Sequence, residues 1–182
     1  MNLWTACRDD IILSFCRQKE LAEKAMKQLD DELFFRKPGE HSNCIALIVK
    51  HVAGNLASRW TDFLTTDGEK PNRDRDSEFI ITPADTRADL LARWDRGFEV
   101  LTASLQGLSE SDATRIITIR SEPHLVLQAI HRSLTHTSYH VGQIVYLCRL
   151  LKTDGWLWIT IPPGESKTFN SQPRTYLESA AK

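Results

Sequence analysis

The chain has 182 residues, with 23 Lys and Arg against 24 Asp and Glu and 41% hydrophobic residues. That length suits a single domain over residues 1–182 with a sizeable core, and the near-zero charge, with no basic stripe interleaved with aromatics, argues against a nucleic-acid groove. No run reaches the roughly 20 apolar residues of a membrane span, and the charged start, MNLWTACRDD, lacks the apolar stretch of an export signal, so the expected compartment is the cytoplasm. Cys7, Cys16, Cys44 and Cys148 show no CxxC spacing and are expected as free thiols.

Four amphipathic helices are predicted, near residues 5–29, 42–65, 83–107 and 122–152. In the first, Ile12, Phe15, Ala22, Met26 and Leu29 form the apolar stripe, and Pro38-Gly39 breaks the chain beyond it. The second starts from Ser42 or Asn43 as N-cap and carries Ile45, Ile48, Val52, Leu56, Trp60 and Phe63. His51 lies near its midpoint. Asn55 follows one turn later, and Arg59 one turn after that.

The stretch DGEKPNRDRDSEFII, residues 67–81, reads as a charged, solvated connection. About 15 extended residues reach some 50 Å, more than the roughly 37 Å of a 25-residue helix, so the helices it joins can run parallel. Thr82-Pro83 is the expected start of the third helix, with Asp85 in the position of a capping acid and Gly107 as its end. RIITIR, within 115–120, reads as a short strand or an extended connector. The fourth helix is expected to start at Ser121-Glu122-Pro123. The tail WLWITIPPGESKTFN is expected to lie extended across one end of the bundle, with frayed residues after it.

The fourth helix contains His136-x-x-x-His140 followed by Gln143. At i, i+4 and i+7 these three share one helix face. Two imidazoles one turn apart can bind a single ion, as in the helical HExxH motif, but no Glu follows the first His here. A third ligand is needed, and His51 sits at matching depth on the second helix. Bundles build metal sites in this way, from side chains on facing helices. A hydrogen-bonded polar core is the other reading of the same residues. His41, His124 and His131 are expected in solvent or capping roles. No ExxH occurs, which argues against a di-iron carboxylate site.

The His in IVKHVAGNLASRW, the HxxxHxGQI element, the DGEKPNRDRDSEF loop and the WITIPPGES tail together resemble the DinB-like superfamily of four-helix bundles, in its branch of unknown function called DUF1572. The resemblance covers nearly the whole chain. It implies an all-α bundle with one long crossover, and a three-His metal site at His51, His136 and His140. The superfamily includes bacterial enzymes that are metal-dependent transferases or isomerases using small thiols such as bacillithiol, mycothiol or glutathione.

Three neutral imidazoles leave a divalent ion, Zn²⁺ or Ni²⁺, with open positions. The leading expectation is a thiol S-transferase in which a small thiol attacks an electrophilic substrate. Gln143 and Asn55 would then orient ligands or substrate, and Arg59 and Tyr139 could hold a carboxylate or leaving group. A metal-binding, stress-associated homodimer without turnover is the alternative, and a metal-water hydrolase is a third. No carboxylate lies on either His-bearing face to serve as its general base.

Overall fold

The computed structural model describes residues 2–172. Its main elements are α1 (Leu3–Met26), a short α2 (Asp31–Phe35), α3 (Ile45–Trp60), α4 (Arg87–Gln106), a hairpin of β1 (Ile116–Ile119) and β2 (Glu122–Leu125), α5 (Val126–Leu151) and a short α6 (Ser166–Asn170). The fold is the expected all-α bundle. Among the described residues, the two antiparallel strands are its only sheet.

Contacts fix the helix directions. At one end Lys50 of α3 bonds Asp85 just before α4, at 2.9 Å; at the other, Ser104 of α4 donates to the Trp60 carbonyl at 2.9 Å. α3 and α4 therefore run parallel, as the long crossover allows. They approach closely at Gly97, where an added Cβ would lie 3.2 Å from the Ala53 carbonyl oxygen and from Leu56. α1 opposes α4: Trp4 donates to the carbonyl of Leu108, past the end of α4, and Arg87 at its start donates to the carbonyls of Met26 and Leu29. The core between the helices holds Phe15, Leu56, Trp60, Trp94, Leu101, Leu105 and Ile144, all fully buried.

Several helix limits differ from expectation, each for a local reason. α3 begins at Ile45, behind Cys44, with no side-chain cap, and stops at Trp60. Asp62 then takes a left-handed φ of 46° and turns the chain. α4 starts four residues later than Pro83. Thr82 and Asp85 close a separate turn, and the true cap is the next such pair, Thr86 and Asp89. Residues 122–125 are strand rather than helix, paired with 116–119 in the register Ile116↔Leu125 to Ile119↔Glu122. The hairpin turn places both Arg120 (φ 55°) and Ser121 (φ 63°) in the left-handed region without a glycine. The Asp67 carboxylate stabilises that turn by accepting both backbone N–H groups, at 2.8 and 2.7 Å.

The tail crosses the end of α1, where Gln28 exchanges two hydrogen bonds with the Leu157 backbone and Arg149 lies 4.1 Å over the Trp158 ring. The residues expected to fray, 173–182, lie outside those described. No helix among the described residues is long and apolar enough to cross a membrane.

Candidate metal centre

His51 is in the second turn of α3, and His136 and His140 are one turn apart on α5. The bundle brings the three together: one ring nitrogen from each lies within 4.8 Å of the others, a grouping that can hold a metal ion. His51 Nε2 and His136 Nε2 are 3.2 Å apart. Two ligands of a tetrahedral ion with bonds of about 2.0–2.1 Å are about 3.3 Å apart, so the observed spacing fits.

Hydrogen bonds define which nitrogens face inward. His51 Nδ1 donates to Glu78 Oε2 at 2.8 Å, which leaves the lone pair on Nε2. His140 Nδ1 donates to Gln143 Oε1 at 2.8 Å, which again leaves the lone pair on Nε2. These tautomers follow from acceptor-only partners. Among the described residues His140 Nε2 and His136 Nδ1 are buried with no hydrogen-bond partner, a costly arrangement that a bound cation would relieve at His140. Burial, then the nearby imidazoles and the guanidiniums of Arg59 and Arg73, push His136 down to about 3. Burial pushes His140 down to about 4, against the Gln143 bond, which acts the other way. Both rings are therefore neutral at neutral pH, the form that binds metal.

The crossover 67–81 is not the solvated loop expected. It folds onto α3 and backs His51. Phe79 lies against the His51 ring with centroids 4.9 Å apart, and Arg73 grips both oxygens of Glu78, at 2.8 and 2.9 Å. Burial alone would raise the Glu78 carboxyl, but the bonds from His51 and Arg73 hold it below the usual carboxylate range. Glu78 sits on the far side of the ring from the triad with both oxygens engaged. It orients His51 and is poorly placed to act as a general base. Gly54, one turn beyond His51, makes room for it: an added Cβ would lie 2.3 Å from Glu78 Oε1.

The remaining candidates take distinct places. Gln143 fixes His140. Asn55 and Arg59 are buried on the α3 wall of a cleft of about 570 Å³ that opens onto His51 and His136. Tyr139 is half exposed at the rim, its ring centroid 4.3 Å from that of His140. His131 stands outside the triad, though it lines the same cleft rather than the opposite side of the helix. His124 bonds Arg132, and His41 is exposed. All four cysteines are free thiols.

Residues 5–165 match the family described as "Protein of unknown function (DUF1572)". No curated protein matches the chain. With most of its length covered by that match, the chain belongs to the DUF1572 family.

Proposed function

We propose that this protein is a metal-dependent thiol S-transferase of the DinB-like kind, with His51, His136 and His140 as ligands of Zn²⁺ or Ni²⁺. The carrying observation is three converging imidazoles, two of which, His51 and His136, line an open cleft, with His51 and His140 held by outward partners, Glu78 and Gln143. A structural site would be closed by a fourth protein ligand, and none joins this group among the described residues.

A divalent ion in this position supplies the charge that lowers the pKa of a small thiol. The chain's own residues do the rest. Glu78 and Gln143 fix the imidazoles, and Phe79 shields the back of His51 from water. In the reaction a C–S bond forms, the bond from that carbon to the leaving group breaks, and the thiol proton departs. Among the described residues the one carboxylate touching the triad is locked by Arg73, which favours this chemistry over hydrolysis with a protein general base.

The test has two parts. Protein purified without a metal-affinity tag should contain about one equivalent of Zn or Ni by elemental analysis. It should also conjugate one member of a panel of low-molecular-weight thiols to an activated haloarene, and His136→Ala should not. Metal with no turnover across the panel would leave a binding protein and end the transferase reading. Absence of metal would end both.

A further inference from the structure

The cleft above the triad has an unusual wall. Arg59 of α3, Arg73 and Arg75 of the crossover, Arg120 of the hairpin turn and Arg132 of α5 all line it, and among the described residues no carboxylate does. Two carboxylates reach these guanidiniums from within the wall. Glu78 is consumed by Arg73 and His51, and Glu69 is shared among Arg73 at 3.1 Å, Arg120 at 3.4 Å and Arg59 at 3.8 Å. Asp76 contacts Arg75 only at 3.8 Å and is almost fully exposed. Positive charge on this wall thus exceeds negative.

Arg59 shows the imbalance most clearly. It is 8% exposed, its Glu69 contact is beyond hydrogen-bond length, and its Nη1 is buried with no acceptor among the described residues. Burial, with Arg132, Arg73 and Arg120 nearby, pushes it down to about 10 despite Glu69. A buried charge left this poorly paired is costly, and an anion in the cleft would relieve it. Gly68 tightens the arrangement, since an added Cβ there would lie 3.0 Å from Arg59 Cδ. The chain brings these cations together from four segments at a cleft that also reaches His51 and His136.

We propose that this cleft binds a small organic oxyanion, with its carboxylate or phosphate group held by Arg59, Arg120 and Arg132 and its other end at the histidine triad. The cleft volume of about 570 Å³ suits a small molecule. A nucleic-acid backbone would need an extended basic stripe, and the chain's net charge is −1. Treating the anion as a substrate rests on the reactive-centre reading above; its binding to the arginines does not.

Calorimetric titration at low ionic strength tests this with three probes: succinate, inorganic phosphate, and succinamide as the uncharged control. Succinate or phosphate should bind saturably at one site, and the stronger of the two identifies the end group. Succinamide should not bind. Arg59→Gln and the double variant R120Q/R132Q should each weaken the anion by about tenfold or more, the scale of a lost charge-assisted pair. Arg120 and Arg132 are exposed, so the double variant stays folded even where Arg59→Gln does not. Parent protein stripped of metal by chelation and dialysis should still bind the anion, which separates this site from metal ligation. No saturable binding of either anion up to about 10 mM, equal affinity in the arginine variants, or loss of binding in the metal-stripped parent would each overturn the proposal. Metal content, read on the same samples, tests the triad independently.

Discussion

Gly54→Ala separates the outer support of the metal centre from the stability of the bundle. Position 54 lies inside α3, where Ala is favoured over Gly by about 1 kcal/mol through helix propensity. Considered as helix alone, the substitution stabilises. The new Cβ, however, would lie 2.3 Å from Glu78 Oε1 and 2.9 Å from Cδ, far inside contact distance. The carboxylate must swing away and give up its 2.8 Å bond to His51 Nδ1. Losing such an outer partner of a ligating His typically costs about 10- to 100-fold in metal affinity, roughly 1.4–2.8 kcal/mol. The expected result is a weakening of that size in a competition titration against a chromophoric chelator. Far-ultraviolet circular dichroism should be unchanged, and Glu78→Gln should act in the same direction. If Gly54→Ala and Glu78→Gln both hold metal as tightly as the parent, Glu78 does not position His51 and the account of the crossover is wrong.

His136→Ala and His140→Ala should each abolish tight metal binding while the chain still folds, because the core is built from apolar helix faces; His131→Ala should keep full metal content in elemental analysis. Asp85→Asn should cost about 1.5–3 kcal/mol in urea unfolding at neutral pH, since Asp85 accepts bonds from Lys50 Nζ and from Thr82 N and Oγ1. Burial alone would raise that carboxyl, but these partners hold it down to about 2 against the ordinary 3.8, so its contribution is complete above pH 3.8 and disappears as pH falls through about 2. A cost that persists at pH 2 would contradict this assignment. In the native protein two thiols should react quickly with a disulfide reagent, exposed Cys7 and Cys16, and two slowly, Cys44 and Cys148. Burial pushes Cys148 up to about 12, and four equally fast thiols would show that the core opens readily.

The triad was readable because each half of it obeys local rules. A spacing of four puts His136 and His140 on one face, and the midpoint of a neighbouring helix supplies His51 at the same depth. Glu78 was not readable, because it enters from a segment whose Asp, Arg and Lys resemble a solvated loop. Two signals pointed the other way: the apolar Phe79-Ile80-Ile81 beside it, and a glycine one turn from His51 inside a good helix. The third helix carries two successive cap signals, Thr82 with Asp85 and Thr86 with Asp89, and Asp85 is also engaged by Lys50 of α3 in the turn that the first pair closes. The second strand was hidden because Glu122-Pro123 imitates a helix start. The arginine wall left no mark as a basic patch, since its members are spread from 59 to 132 and meet only after folding.

The distances along the chain at the centre imply an order of assembly. His136 and His140 are brought into alignment by a single turn of their own helix, which forms on the submicrosecond scale of helix growth. Glu78 is 27 residues from His51, and His51 is 85 residues from His136, so each of those contacts waits for a progressively larger closure. The His136–His140 pair is therefore set by α5 alone, and the three-imidazole group appears only once α3 and the crossover have docked against it.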